Sequence, residues 1–197
     1  MRHTHLPEHK FVKGQPETGV EMAEDLERIA MNFGGENIAA CIIEPIAGST
    51  GTLVPPKGYL KRIREICDKH GILLIFDEVI TGWGRTGSAF AAQEWNVKPD
   101  IMTMAKATTN GVVPMGVVAV KEEIYDAVLD ASSAPEGTPE LFHGYTYSGI
   151  PVAVAAALAV QDIFDKEDIF TRAKDMSPYL QDGLQSLKDL KEIVSIR

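Results

Sequence analysis

The amino-acid sequence predicts an α/β fold in which a mostly parallel sheet is flanked by helices. Three short apolar runs have the length and composition of buried strands, namely Ile38–Ile43, Ile72–Phe76 and Ile101–Ala105. Amphipathic helices at Val20–Phe33 and Pro56–His70 precede the first two runs, with apolar residues at helical spacing. Because strands that alternate with helices are typical of βαβ units, we expect residues 38–77 to form one. We expect the second strand to be buried on both faces, as parallel strands usually are.

Charged residues follow the predicted strands at the points where the strands end. Glu44 follows the first strand, Asp77 and Glu78 follow the second, and Lys106 follows the third. In open α/β sheets, ligands bind in the crevice beyond the carboxyl ends of the strands. A carboxylate and a lysine that meet there indicate covalent chemistry between an amine and a carbonyl compound. The plainer alternatives are that Asp77 caps a turn and that Lys106 is a solvated strand end.

Two segments that contain these residues resemble the core motifs of class III (ω-amino-acid) aminotransferases, which depend on pyridoxal phosphate (PLP). They are LLIFDEVITGWGRTG at residues 73–87 and PDIMTMAKATTNG at residues 99–111. The resemblance implies that Asp77 pairs with the pyridinium nitrogen of PLP, that Val79 packs on the ring face and that Lys106 holds PLP as a Schiff base. An ionised carboxylate keeps that ring nitrogen protonated, as an electron sink requires. For Val79, ordinary packing is the alternative.

The segment HGYTYSGIP at residues 143–151 also matches the family. The resemblance implies that Thr146 donates to the PLP phosphate of a neighbouring subunit, with Tyr145 beside it, although Ile150 stands where the family commonly has His. By the same resemblance, Glu44 of the EP dipeptide lies near the substrate side of PLP, where an arginine could pair with it. The alternative for Thr146 is a local hydrogen bond. The alternative for Glu44 is a carboxylate that accepts from nearby backbone amides.

Composition restricts the class of protein. The chain has 197 residues, 45% of them hydrophobic, and a net charge of −9, which argues against a nucleic-acid binder with a basic face. Cys41 and Cys67 lie in apolar segments without metal-ligand spacing, so we expect buried thiols and no metal site. The N-terminal residues lack the apolar core of a signal peptide, and no apolar run approaches the ~20 residues that span a bilayer. We expect a cytoplasmic protein that binds neither nucleic acid nor membrane.

The resemblance implies that the chain is the middle of a longer aminotransferase of PLP-transferase fold type I, because family members are much longer. Residues 1–164 would be part of the large PLP-binding domain, and residues 165–197 would begin the small C-terminal domain. We expect the almost wholly apolar helix Val152–Phe164 to be buried and the terminal EIVSIR, residues 192–197, to begin a strand. The resemblance further implies a homodimer or homotetramer of the full-length chain.

The resemblance implies a transaminase that moves an amino group from an ω-amino acid or amine to an α-keto acid such as pyruvate, through the Schiff base on Lys106. Ile80 after the DEV triplet and the HGYTYSG segment are similar to the β-alanine–pyruvate type. The small-molecule partners would be an amine donor and a keto-acid acceptor. A PLP-dependent aminomutase or racemase is a second hypothesis, because it would use the same lysine and aspartate but need no keto acid. A truncated remnant without enzymatic activity is the third.

Overall fold

A four-stranded sheet organises the structure, a computed structural model that describes residues 1–133, 135 and 143–197. Its strands, in hydrogen-bonded order, are β1 (Ala40–Ile43), β2 (Leu73–Asp77), β3 (Ile101–Met104) and β4 (Val117–Val120). Strands β1, β2 and β3 are parallel, and β4 runs antiparallel to β3. The predicted α/β architecture with a mostly parallel sheet is therefore confirmed.

Six α-helices and four 3₁₀ segments are found in the described ranges. The α-helices are α1 (Glu24–Phe33), α2 (Tyr59–His70), α3 (Ala91–Glu94), α4 (Glu122–Ala131), α5 (Pro151–Lys166) and α6 (Ile169–Gln185). The 3₁₀ segments are Pro7–His9, Val20–Ala23, Gly35–Asn37 and Lys106–Thr108. Helix α2 connects the parallel strands β1 and β2, which confirms the predicted βαβ unit. None of the helices that the structure describes has the length and apolar character needed to cross a membrane.

The hydrophobic core lies between one face of the sheet and helices α1 and α2. Leu74 and Phe76 of β2 are fully buried in it, and Ile63 and Ile66 of α2 belong to the same cluster. Burying a Leu, Ile or Phe side chain contributes about 1.5–3 kcal/mol to stability. This packing holds the βαβ unit in place and fixes where its strands end.

Cys41 of β1 and Cys67 of α2 lie in this core as buried free thiols, as the sequence predicts. A hydrogen bond between the two thiols, together with burial, raises the pKa of Cys67. Because a thiol is a nucleophile only as its thiolate, Cys67 is unreactive at neutral pH. Cys67 therefore contributes to the packing of the core.

The opposite face of the sheet is partly open. Ile42 of β1 is 61% exposed, Leu73 of β2 is 36% exposed and Val118 of β4 is 64% exposed. These residues share one face because alternate residues of a strand point to opposite sides and the strands are in register. The prediction that β2 is buried on both faces is wrong for this chain. Parallel sheets are normally covered by helices on both faces, and the described helices leave this one open at these positions.

Helix α5 packs with only one stripe of its surface. Ala153, Ala157 and Val160 are buried at the spacing of one helix face, whereas Val152 and Leu158 are 57% and 60% exposed. The prediction that this apolar helix is buried is therefore wrong for most of its surface. The physical reason is that a helix presents residues around its whole circumference and meets a neighbour here on one side.

Residues 192–197 form no strand, contrary to the prediction. One backbone hydrogen bond, from the N–H of Ile196 to the carbonyl of Lys10 at 2.7 Å, joins this segment to the N-terminal region. A strand requires a ladder of such bonds with its partner, and a single bond does not define one.

A buried ion-pair network fixes the start of β3. Asp100 is 8% exposed, and its carboxylate binds Arg64 at 2.7 Å, Lys121 at 2.6 Å and the backbone N–H of Leu74 at 2.7 Å. Burial alone raises the pKa of Asp100, but the hydrogen bonds that it accepts outweigh burial and lower the pKa. The network joins α2, β2 and the residue after β4, and so holds the strand that leads to Lys106.

Candidate active site

The carboxyl ends of the parallel strands bring three predicted site residues to one edge of the sheet. Asp77 is the last residue of β2 and lies opposite Thr103 of β3. Glu44 directly follows β1, and Lys106 lies two residues beyond the end of β3. This edge is where ligands bind in open α/β sheets. The strand order thus places a carboxylate and an amine at one edge of the sheet.

The adjacent carboxylates Asp77 and Glu78 have different environments. Glu78 is fully buried, and it accepts hydrogen bonds from the Thr81 hydroxyl at 2.6 Å and from the backbone N–H groups of Ala91 and Ala92 at 3.0 and 2.8 Å. Glu78 therefore satisfies the N–H groups at the start of α3, where they have no partner within the helix. Local sequence patterns do not indicate this structural role, because the N–H donors lie 13 and 14 residues further along the chain.

Asp77 keeps one carboxylate oxygen available. The residue is half-buried, and its Oδ1 accepts the backbone N–H of Val79 at 3.0 Å. Within the described ranges, its Oδ2 has no hydrogen-bond partner and the carboxylate forms no ion pair. The turn cap that the sequence left as an alternative is present, but it uses only one oxygen. The second oxygen is free to accept a hydrogen bond from a ligand.

Lys106 occupies a strained turn beyond β3. Its φ of 43° lies in the left-handed region that residues with a side chain rarely adopt, and it begins the 3₁₀ segment. The residue is exposed, and its amine pairs with no carboxylate in the part of the chain that the structure describes. Backbone strain of this kind clusters at active sites and ligand clamps. An amine that is exposed and unpaired is accessible to a carbonyl compound.

A groove of about 630 Å³ adjoins this turn. Val79, Thr103 and Ala105 line it together with Tyr145 from the 143–151 segment. The structure thus brings together Val79 and Tyr145, although Tyr145 remains 79% exposed.

Thr146 is exposed and does not line this groove. Its predicted contact is with the phosphate bound to a neighbouring subunit, and that contact stays a prediction.

Glu44 lies apart from this groove. It lines a separate groove of about 790 Å³, to which Arg2 and Arg197 also contribute. Its Oε2 accepts the backbone N–H of Gly48 at 2.9 Å, and no arginine among the described residues forms an ion pair with it. The contact present is thus the local backbone one. A position near the substrate stays a prediction.

Two residues to which the sequence analysis assigns no role of their own, Trp83 and Thr108, connect to the Lys106 turn. The indole Nε1–H of Trp83 donates to Thr108 Oγ1 at 3.0 Å, and Thr108 Oγ1 donates to the carbonyl of Ala105 at 2.9 Å. Trp83 and Thr108 are 25 residues apart, so no local pattern indicates the contact.

The chemical groups at this edge of the sheet fit PLP. Asp77 offers a carboxylate oxygen that the described chain leaves free, which is what a protonated ring nitrogen requires. Lys106 offers an unpaired amine, which is what an aldehyde requires. In the ranges that the structure describes, no group of three or more His, Cys, Asp or Glu side chains is placed to hold a metal ion.

Similarity to known proteins extends along almost the whole chain. The family model described as Aminotransferase class-III matches residues 2–197. The chain belongs to the class III aminotransferases. The resemblance in the motifs around Asp77 and Lys106 is therefore confirmed at the level of the family.

Two curated relatives match along the full chain. An omega-aminotransferase of Caulobacter vibrioides is 55% identical, with 100% of this chain and 44% of the relative covered. A beta-alanine–pyruvate aminotransferase of Pseudomonas aeruginosa is 47% identical, with the same coverage of 100% and 44%. This class III chain thus spans less than half the length of the relatives that it matches.

Solved structures confirm the fold. A thermostable (S)-enantioselective omega-transaminase from Thermomicrobium roseum superposes with a TM-score of 0.80 at 43% identity, covering 86% of this chain and 37% of that one. An amine transaminase from an uncultivated Pseudomonas species, described as PLP-bound, has a TM-score of 0.80 at 41% identity, covering 88% of this chain and 38% of that one. The predicted α/β fold of the PLP-dependent aminotransferases is therefore correct for this part of the protein.

Proposed function

We propose that this chain forms the cofactor-binding core of a PLP-dependent aminotransferase that transfers an amino group from an ω-amino acid or amine to an α-keto acid such as pyruvate. The observation that carries the proposal is the placement of Asp77 and Lys106 at one edge of the sheet, each with a polar group that the described chain leaves unpaired. The names of the relatives, which include a beta-alanine–pyruvate aminotransferase, support this donor class and acceptor.

Each proposed role is the one that the family resemblance implies, and the position of the residue supports it. Lys106 Nζ would hold the cofactor covalently and, as a free amine, would carry a proton away from the substrate carbon. Asp77 Oδ2 would accept the ring N–H and so keep the ring nitrogen protonated. Val79, which lines the groove, would pack on the face of the ring. When bound, PLP supplies an electron sink for the negative charge that proton removal leaves on the substrate.

Assembly is part of the proposal. Thr146 is exposed on a turn, so its hydroxyl is available to the phosphate bound to a neighbouring subunit, with Tyr145 beside it. We propose a homodimer or homotetramer of a longer protein in which residues 1–164 belong to the large domain and residues 165–197 begin the small domain. That boundary falls two residues before the end of α5.

The proposal is tested by locating the cofactor on the protein. Full-length protein that contains this chain is incubated with PLP, reduced with borohydride, digested and analysed by mass spectrometry. The label should lie on the peptide with Lys106, and Lys106→Ala should lose both label and turnover. Lys57 and Lys121 are internal controls, because their amines are held in ion pairs with Glu17 and Asp100. Labelling mainly on either control lysine would overturn the assignment.

Omission of the keto acid separates transamination from the aminomutase or racemase alternative. A transaminase given amine alone stops after converting one equivalent per active site, because the cofactor retains the amino group. A mutase or racemase continues to turn over. The names of the relatives favour the first outcome. A full-length protein that neither binds PLP nor turns over would favour the inactive remnant.

A further inference from the structure

A hydrogen-bonded connection joins Trp83 to the peptide group that precedes Lys106, and both of these residues have left-handed backbone. Trp83 has a φ of 60° and Lys106 has a φ of 43°. A positive φ is rare for a bulky residue and persists only where the surrounding contacts impose it. The contacts that link Trp83 to the carbonyl of Ala105 are therefore the ones that can hold the Lys106 turn.

The connection runs through the hydroxyl of Thr108, which is 3% exposed. An indole N–H can only donate, so Thr108 Oγ1 accepts from Trp83 at 3.0 Å and its own proton goes to the Ala105 carbonyl at 2.9 Å. The backbone N–H of Thr108 donates to the same carbonyl at 2.9 Å. Ala105 directly precedes Lys106, so these bonds fix the peptide group that joins Ala105 to Lys106.

The indole of Trp83 is itself held by its surroundings. Its ring meets Phe90 edge-on at a centroid distance of 5.0 Å and lies 6.0 Å from the ring of Phe164 in α5. The backbone N–H of Trp83 donates to the carbonyl of Ala89 at 2.5 Å. The donor thus has a fixed position.

Gly84 allows the loop to approach α6 closely. Its φ is 91°, and a Cβ at this position would lie 2.8 Å from the ring of Phe170. The loop after Trp83 therefore packs against α6 in a way that only glycine permits.

We propose that Trp83 is a positioning residue for Lys106. Its indole N–H, through the hydroxyl of Thr108, holds the left-handed turn and so sets the geometry in which the lysine presents its amine to the cofactor. The inference deepens the proposed function and rests on it. Reacting groups that shift by about 1 Å can lose two orders of magnitude in rate.

Variants that remove the indole N–H donor or the Thr108 hydroxyl test this role in the full-length holoenzyme. Trp83→Phe keeps an aromatic ring but removes the donor, and Thr108→Val removes the hydroxyl at nearly constant shape. Trp95→Phe is the matched control, because the Trp95 indole N–H makes no hydrogen bond within the described ranges. Thr108→Ser restores the hydroxyl.

Three readouts distinguish positioning from packing. Trp83→Phe and Thr108→Val should each lower kcat about tenfold with KM little changed, and the double variant should be no worse than either, because both break one connection. The visible circular dichroism of the lysine-bound cofactor should fall per cofactor bound, since that signal requires a fixed orientation. Thr108→Ser and Trp95→Phe should retain wild-type values. The Thr108 pair keeps the test valid if Trp83→Phe does not fold.

The contrary results are separable. If the wild type carries cofactor on Lys106 but both donor-removing variants match Trp95→Phe in kcat and in circular dichroism, the positioning role alone is wrong. If wild-type protein carries no cofactor on Lys106, the proposed function and the positioning role fail together.

Discussion

Asp77 lies opposite Thr103 across the parallel strands β2 and β3, and Lys106 follows Thr103 by three residues. A strand rises about 3.3 Å per residue, so the backbones of Asp77 and Lys106 lie within about 10 Å of each other along the strand direction. A flat ring that contacts the carboxylate at one end and the amine at the other fits such an offset. The register of two strands therefore sets the spacing of the candidate site.

Replacing Asp77 with Asn is expected to separate cofactor binding from catalysis. Asn keeps the Oδ1 that accepts the Val79 N–H, so the turn and PLP binding should survive. A neutral amide does not hold the ring proton, so removal of the substrate proton should slow by about two orders of magnitude or more. Stopped-flow absorbance on the full-length variant measures this step. Near-normal turnover would contradict the role of Asp77 at the ring nitrogen and would leave only its role as a turn cap.

Replacing the neighbouring Glu78 with Gln is expected to affect folding instead. The Glu78 carboxylate accepts three hydrogen bonds in a fully buried position, and the amide group of Gln would turn an NH₂ towards one of these donors. We expect a loss of about 2 kcal/mol in the free energy of unfolding. Chemical denaturation measures it, and the two neighbouring substitutions serve as controls for each other. Equal stability of both variants would contradict the assignment of separate roles.

The strands, their order along the chain and the residues at their ends could be predicted because those patterns are local. Apolar runs end where Asp77 and Lys106 begin, and the family motifs extend over the same positions. The contacts of Glu78 with α3 and of Trp83 with Thr108 could not be predicted. They depend on how distant loops fold back, which neither periodicity nor capping rules encode.

Burial was the other property that the sequence misjudged. Apolar composition predicted complete burial for β2 and for the Val152–Phe164 helix, whereas Leu73 and Leu158 are exposed. Apolar composition indicates which surface is costly to expose to water. It does not indicate whether another element of the structure covers that surface. The described residues supply that cover on one side only.

The ion pairs of Asp25 are expected to give stability a defined acid dependence. Hydrogen bonds from the side chain and backbone of Arg2, with further attraction from Arg28, lower the pKa of Asp25 from 3.8 to about 2. Because the folded-state pKa lies below the unfolded one, the contribution is complete above about pH 4 and is lost as the pH falls towards about 2. Denaturation midpoints across that range should fall less steeply for Asp25→Asn. Asp126→Asn, on an exposed face of α4, is the control and should follow the wild type.

The 197-residue chain expressed alone is expected to take up no PLP. Its sheet exposes Ile42 and Val118, and α5 exposes Val152 and Leu158. Such apolar faces associate with one another or bind hydrophobic dyes. The proposed phosphate contact of Thr146 additionally needs a second subunit. PLP titration should therefore show no saturable uptake by the isolated chain, whereas full-length protein should bind PLP as a dimer or a higher even-numbered assembly.

One substitution on the open face should have opposite effects on the isolated chain and on the full-length protein. Val118→Lys should make the isolated chain less prone to aggregate, because it adds charge to an exposed apolar surface. In full-length protein the same change should reduce stability by about 2 kcal/mol or more, because a cover over this face would bury an unpaired charge. Light scattering and chemical denaturation measure the two effects. A soluble monomer of the isolated chain that binds PLP and transaminates would contradict both expectations, since it would show that the open face needs no cover and that Thr146 needs no partner subunit.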